Sequence, residues 1–475
     1  MKQTKIVALL VLLVTVFSCE KDFLSPELES LVNAEIYYTT EAQLETATVN
    51  MYDGIQGINS TSSNDYHSLQ VEFYLTEMRS DNTRTKASEG EAAQFESYDI
   101  VPNNGIVADY YRSFYNVIFR ANVVLENLGV ASDSNRASFE AEAKFVRAYA
   151  YFNLVRLYGD IPLVDRVIGN NDTDISFTRV PTTEVYALIV EDLLTAIDGL
   201  DNTYKTRASK AAAQALLAKV YLTQGTNYLD AQILCEAVMG SGFTLEPNFE
   251  DVFYNELNNE VIFAIGYSPA GVDSQNFSAE WLNAVGRTSG VNYVTNDAKD
   301  ALDMLGGNRG LDVSYRVDIS QPTQHQVRKY IPNGEVDAHA GDDFVVSDPR
   351  LAGNDWIVLR YSDVLLMHVE AIMAGGNSTA VPAALSSFQL VRNRAGLTTT
   401  VTNITKQELL DERRVELAFE NHRLFDLIRF NEAQTVLSTF STANGYNFNA
   451  TDLLLPIPQR EINLSNGVLT QNPGY

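Results

Sequence analysis

Apolar residues recur at helical spacing along most of the chain, and the intervals where that spacing fails divide it into parts. From Thr39 the pattern turns helical, with Thr40 placed as an N-cap and Leu44, Ala47, Val49 and Met51 following. A second helical stretch runs from about 107 to 128. Phe139 to Tyr158 carries a stronger signal: Phe145, Ala148, Phe152 and Val155 share one face, and Glu140, Lys144 and Arg147 share another. Gly159-Asp-Ile-Pro162 stops that helix. Thr182 to Leu200 and Lys210 to Gln224 are two more, and Leu229 to Met239 packs back after the turn at Gly225 to Tyr228. Helices return at Tyr361–Ala374, Ala383–Ala395 and Lys406–Phe430. The fold class predicted is mostly α.

The breaks are as informative. Residues 57–68 are rich in Ser, Thr and Asn without a period, and 82–106 are also loop-like. Residues 240–355 are rich in Gly, Asn, Asp and Ser, with short β-like runs such as Val261–Ile265. Long irregular stretches inside a compact protein are usually functional. The end, from Leu453 to Tyr475, is extended and bounded by prolines. The pair around Gly225 looks like a tetratricopeptide-type hairpin, with Leu217, Ala218, Tyr221, Gly225 and Ala231 near the repeat's positions. Any alanine-rich helix pair is the competing explanation.

Composition adds three constraints. The 475 residues are 45% hydrophobic and 20% charged, an ordinary globular balance. The net charge of −27 repels a phosphate backbone and argues against general nucleic-acid binding. Of two cysteines, Cys235 sits in an apolar helical stretch and reads as a buried, inert thiol, so no disulfide framework is expected.

The other cysteine closes a leader. Lys2 and Lys5 precede an apolar run from Ile6 to Phe17, too short to span a bilayer and right for a signal-peptide core. Val16-Phe17-Ser18-Cys19 resembles a lipobox, with Phe17 bulkier than usual. Residues 1–18 are therefore expected to be a signal peptide, Cys19 the lipid attachment point, and 19–33 a tether. Several acyl chains give stable anchoring where one would not. A leader cleaved without lipidation, or left uncleaved as an anchor, is the alternative. Glu20-Lys-Asp22 resembles the acidic export tag of surface lipoproteins in the Bacteroidota, which implies an outer-membrane, cell-surface location.

Catalytic motifs are missing: no H-E-x-x-H, G-x-S-x-G, Walker loop or C-x-x-C occurs. The five histidines are scattered, and with 61 Asp and Glu a glycosidase-like carboxylate pair carries no information. The run Asp411 to Arg429 alternates charge on a helix, with Glu420/Arg423 and Asp426/Arg429 spaced i, i+3, the ordinary pairing of a packed helix.

Four stretches together resemble the SusD/RagB family of outer-membrane nutrient-binding lipoproteins. They are the lipobox at Cys19, the segment Ala141–Leu163, the segment Leu359–Ala371, and the helix Glu412–Arg429 completed by Leu454–Pro458 and Gln471–Tyr475. The resemblance implies one SusD-like domain over 34–475. In it, tetratricopeptide-like hairpins form a scaffold, and irregular loops with a few short strands form the ligand face at about 240–355. It implies a glycan captured at the cell surface and delivered to a TonB-dependent SusC-like transporter. It also implies neither catalysis nor a cofactor. Peptide or another nutrient is the alternative ligand. A surface glycan hydrolase and a scaffold that binds only protein are the alternative classes.

The matched motifs are scaffold motifs, so the ligand residues must be chosen on physical grounds. Aromatic rings stack on sugar faces, while Arg, Asn and Asp bond the hydroxyl rims. Two loop regions offer that mix: Tyr66, His67, Arg79, Asp81 and Asn82 in one, and Trp281, Asn283 and Tyr293 in the other. Trp281 is either a stacking platform or a core plug. Asp81 and Asn82 also suit a cap or a turn. Trp356, just before a scaffold helix, is expected to pack in the core.

Overall fold

The structure, a computed structural model, describes residues 37–85, 88–169, 173–269, 271–280, 292–318, 323–330 and 350–475. Cys19, the leader and the tether lie outside the described residues, as do Trp281 and Asn283. Among the described residues no helix is long and apolar enough to cross a membrane.

The scaffold is built from paired helices. Helix α1 (Glu41–Gln56) starts at Thr40, whose side chain accepts from the Gln43 N–H while Gln43 reaches back, a capping box. It packs on α2 (Gly105–Glu126). Helix α3 (Arg136–Tyr158) packs on both α2 and α4 (Thr182–Gly199). Helices α5 (Lys210–Gln224) and α6 (Tyr228–Met239) form the hairpin anticipated around Gly225, which ends α5 at φ +65°. That left-handed position suits glycine.

After the irregular middle, α7 (Asn296–Leu305) is followed by α8 (Tyr361–Met373), which packs on α6 and on α9 (Pro382–Arg394). The chain then forms α10 (Lys406–Glu416), α11 (Arg423–Arg429) and α12 (Ala433–Asn444). Helix α8 joins two apolar clusters. Val364 and Met367 belong to the larger one, and Leu365, Leu366 and Val369 to the smaller.

The strands are short. One sheet has the order β1 (Thr83–Arg84), β3 (Tyr293–Val294), β5 (His325–Val327), β4 (Tyr315–Val317), and its pairings are antiparallel. A separate ribbon pairs β2 (Val261–Ile265) with β6 (Trp356–Arg360). Every residue of β2 is buried, so this part of the loop-rich region is core. Trp356 is buried as expected, stacked on Tyr330 with ring centroids 5.2 Å apart. Cys235 is buried too, and burial pushes its thiol pKa up, away from reactivity.

Two expectations about the C-terminal charged helix need correction. The predicted helix Lys406–Phe430 is two helices, broken between Glu416 and Arg423. Phe419 and Asn421 adopt φ of 67° and 63° there. The break is held by Asn421, whose N–H donates to Glu77 at 2.8 Å and whose side-chain amide donates to Glu72 at 3.1 Å. Nor does Glu420 pair with Arg423. Glu420 takes Arg360 and Lys329, each at 2.7 Å, and Arg423 takes Asp81 at 2.8 Å. The second proposed pair, Asp426 with Arg429, does form, at 2.8 Å.

These contacts belong to a buried ionic seam. Arg360 also meets Glu260 at 2.8 Å and Glu416 at 2.6 Å, and Arg309 meets Glu412 and Glu416 at 2.7 and 2.6 Å. Arg413 bridges Asp363 and Asp426, each at 2.9 Å. Burial alone would favour a neutral Glu416, but Arg394, Arg360 and Arg309 hold its carboxyl well below the usual range. Burial also pulls the Lys329 ammonium down to about 8, despite Glu420 beside it.

Candidate ligand-binding cleft

A cleft of about 400 Å³ opens where the 58–67 loop, the start of α2 and the short helix Phe277–Glu280 meet. The loop is a closed-neck surface loop: Gly57 turns the chain at φ +75°, and the Ile58 N–H donates to the Tyr66 carbonyl at 2.9 Å. A Cβ at residue 57 would stand 2.0 Å from the His67 carbonyl oxygen, so only glycine permits that neck.

Each wall is tied to its neighbour. Asn104 caps α2 by accepting from the Ile106 and Val107 N–H groups, and the Gly105 N–H donates to Glu91 at 2.9 Å. Asn59 donates to Ser274 Oγ and to the Arg350 carbonyl, both at 2.8 Å. Gln70 donates to the Ser274 carbonyl at 3.0 Å and accepts from the Asn276 N–H at 3.2 Å. The polar lining is therefore held in place by local hydrogen bonds, a preorganised arrangement that lowers the ordering cost of binding.

His67 and Asp109 are the best-defined polar pair in the cleft. The His67 Nδ1 lies 2.7 Å from an Asp109 carboxylate oxygen, and Asp109 is buried on the second turn of α2. The hydrogen bond to Asp109 raises the imidazole pKa above its ordinary value, against the opposing pull of burial. Arg112, one turn along, donates to the Ser63 carbonyl at 3.1 Å and lies over the Tyr66 ring, 5.5 Å from its centroid. Gln70, Asn276, Glu280 and Arg460 add further hydrogen-bonding groups to the lining.

The sequence-predicted residues separate into three groups. His67 lines this cleft, and Tyr66 lies at its margin under Arg112. Arg79, Asp81 and Asn82 do not face it. They are buried in the scaffold at 0, 4 and 1% exposure, so the selection of these three as ligand residues is corrected. Arg79 donates to the carbonyls of Leu75 and Asp452, Asp81 is clamped between Arg414 and Arg423, and Asn82 accepts from Arg414. Burial works against an ionised Asp81, yet the two guanidinium groups hold its pKa far below the ordinary value. Tyr293 is half-buried on β3, where its hydroxyl accepts from Arg84 at 3.1 Å and donates to the Thr85 carbonyl at 3.3 Å.

Trp281 directly follows Glu280, a residue of the cleft wall, and Asn283 comes two residues after Trp281. Asp109, Arg112 and Arg460 were missed by sequence reasoning. The first two sit within a helical pattern where charge reads as surface, and Arg460 carries no motif.

Comparison with known proteins agrees with this architecture. The SusD family profile matches residues 277–475, and a profile described as starch-binding, associating with the outer membrane, matches residues 22–222. The chain is 28% identical to the SusD-like protein P2 of Formosa agariphila over the full length of both. It is 24% identical to the starch-binding protein SusD of Bacteroides thetaiotaomicron, over 77% of this chain and 78% of that one. Among solved structures, a laminarin-binding SusD-like protein superposes with a TM-score of 0.76 at 26% identity, covering 92% of this chain and all of the other. The two profile matches, the SusD-like relatives and the shared paired-helix scaffold together make this chain a member of the SusD/RagB-like family.

Proposed function

We propose that the chain is a nutrient-binding lipoprotein that captures a glycan in the cleft between the 58–67 loop and the start of α2. The observation that carries this reading is the cleft itself: rigid polar walls, a guanidinium over a tyrosine ring, and Trp281 next in sequence to its rim. Such a mix of hydrogen-bonding groups and aromatic faces suits a pyranose chain. A relative named for laminarin binding and another named for starch binding support a glycan as the ligand class. They equally support binding without catalysis.

In this reading Trp281 is the stacking platform, Asn283 a further ligand residue, and Tyr66, His67 and Arg112 hold the rim. Lipid on Cys19 tethers the domain to the outer membrane, facing outward, and a SusC-like TonB-dependent transporter receives the glycan. The test is a glycan array followed by calorimetry on Trp281→Ala. The variant is expected to lose at least about tenfold in affinity, roughly 1.4 kcal/mol. Unchanged affinity for the bound glycan removes Trp281 from the site. Release of reducing sugar from any bound glycan contradicts the absence of catalysis. Co-purification of a SusC-like transporter with the lipidated chain from detergent-solubilised outer membranes tests the delivery step, and its absence contradicts that step.

A further inference from the structure

A second cleft, of about 390 Å³, adjoins the first, and Arg112 and Arg460 line both. The divide between them is built from the end of the 58–67 loop and Arg112. The Arg112 guanidinium donates to the Ser63 and Asp65 carbonyls at 3.1 and 3.4 Å, stands 3.7 Å from Asp109 and lies over the Tyr66 ring. Its bonds are spent on the fold, so the divide is a fixed wall of both clefts.

The second cleft is aromatic. Tyr111 and Tyr115, both on α2, stand with ring centroids 4.8 Å apart, and Tyr66, Phe119 and Phe177 extend the surface. The Tyr115 hydroxyl donates to the Pro162 carbonyl at 2.8 Å. Phe119 is 47% exposed and Leu464 55%, so apolar surface stands open to water here. Such a face, contiguous with a hydrogen-bonding cleft, marks a contact surface. Its concavity and volume fall within the range of small-ligand pockets, about 300–1,000 Å³. A pyranose ring matches it: the C–H face packs on an aromatic ring, and the hydroxyl edge reaches polar groups such as Asn116 and Ser176 in the lining.

We propose that the second cleft is an aromatic subsite for the same glycan. The chain crosses the Tyr66–Arg112 divide, and sugars beyond those in the first cleft lay their faces on Phe119 and Phe177. The inference rests on the glycan-capture reading above and adds the ligand's length class: an oligosaccharide or polysaccharide that fills both clefts at once, rather than a mono- or disaccharide. Two contact sites joined by one ligand raise affinity beyond either alone, because the second contact is made without a second loss of free movement.

Calorimetry on the full chain would use size-fractionated oligosaccharides of laminarin, starch and xyloglucan. In a series that binds, affinity is expected to rise at least about tenfold from the shortest binding member to the longer ones, then level off once both clefts are filled. Phe119→Ala, at an exposed position outside the first cleft, should weaken the long members about three- to tenfold and leave the shortest unchanged. Phe119→Tyr, which keeps the ring, should bind both as the parent does. Affinity independent of length overturns the subsite and leaves glycan capture standing. So do long members unaffected by Phe119→Ala, and a loss in that variant shared equally by short and long members. Loss of transporter binding in Phe119→Ala, with glycan affinity intact, assigns the cleft to a protein partner and overturns the subsite. Binding of no member of any series by correctly folded protein overturns both readings.

Discussion

The ionic seam and the ligand cleft are built from the same residue types and do opposite things with them. In the seam, Arg360, Arg309 and Arg413 are almost completely buried, and each meets two or more carboxylates. In the clefts, Arg112 is engaged by a tyrosine ring, two loop carbonyls and Asp109 at 3.7 Å, whereas Arg460 is exposed and meets no acceptor among the described residues. Desolvation explains the contrast. A buried charge persists only when its partners replace the lost water, so each of these guanidinium groups lies against carboxylates. A half-exposed charge keeps its water until a ligand displaces it, which leaves it available for recognition.

The sharpest way to break this comparison is to remove one partner from the seam. Arg360→Ala leaves Glu260, Glu416 and Glu420 buried beside a lost cation, and should destabilise the fold by about 3–5 kcal/mol. Urea denaturation measures it, and a loss under about 1 kcal/mol would show that the seam is not a structural requirement. Asp81→Asn is next. It leaves Arg414 and Arg423 facing a neutral amide, and should cost about 2–3 kcal/mol while glycan affinity stays unchanged. A fall in affinity at preserved fold would return Asp81 to the ligand site.

Asp109→Asn probes the cleft and should cost about 1.5 kcal/mol, because it weakens a largely buried hydrogen bond to a charged group. Its clearer signature is electrostatic. The raised His67 pKa means that the His67–Asp109 pair contributes fully below the ordinary histidine range and is lost as pH rises through the raised folded-state value. An NMR titration of the His67 ring should therefore show a pKa above 6.5 that falls in Asp109→Asn. An unchanged titration would mean the pair does not form. The smallest stability effect is expected for Arg460→Ala, within about 0.5 kcal/mol by the same denaturation, since no hydrogen bond is broken.

The sequence exposes elements more readily than partners. Helix periodicity located the scaffold because each apolar stripe is local, and the capping box at Thr40 and the Gly225 turn are local as well. The break after Glu416 has no local signal, because it is fixed by contacts from Asn421 to Glu72 and Glu77, more than 340 positions away. Arg79, Asp81 and Asn82 misled for the same reason. A short polar stretch between helices looks like a surface loop until Arg414 and Arg423 arrive from the other end of the chain. His67 stays at the surface of the cleft because its loop is closed by its own neighbours. Arg460 could not be seen, since its role depends on lying beside α2 and not on the residues around it.

The most direct test of the account is hydrogen exchange with and without a glycan that binds. The account predicts protection of residues 58–67, 104–112 and the segment around 276–283, with amides of the seam helices α10 and α11 unchanged. Protection that falls elsewhere, with none on the 58–67 loop or the start of α2, would contradict it.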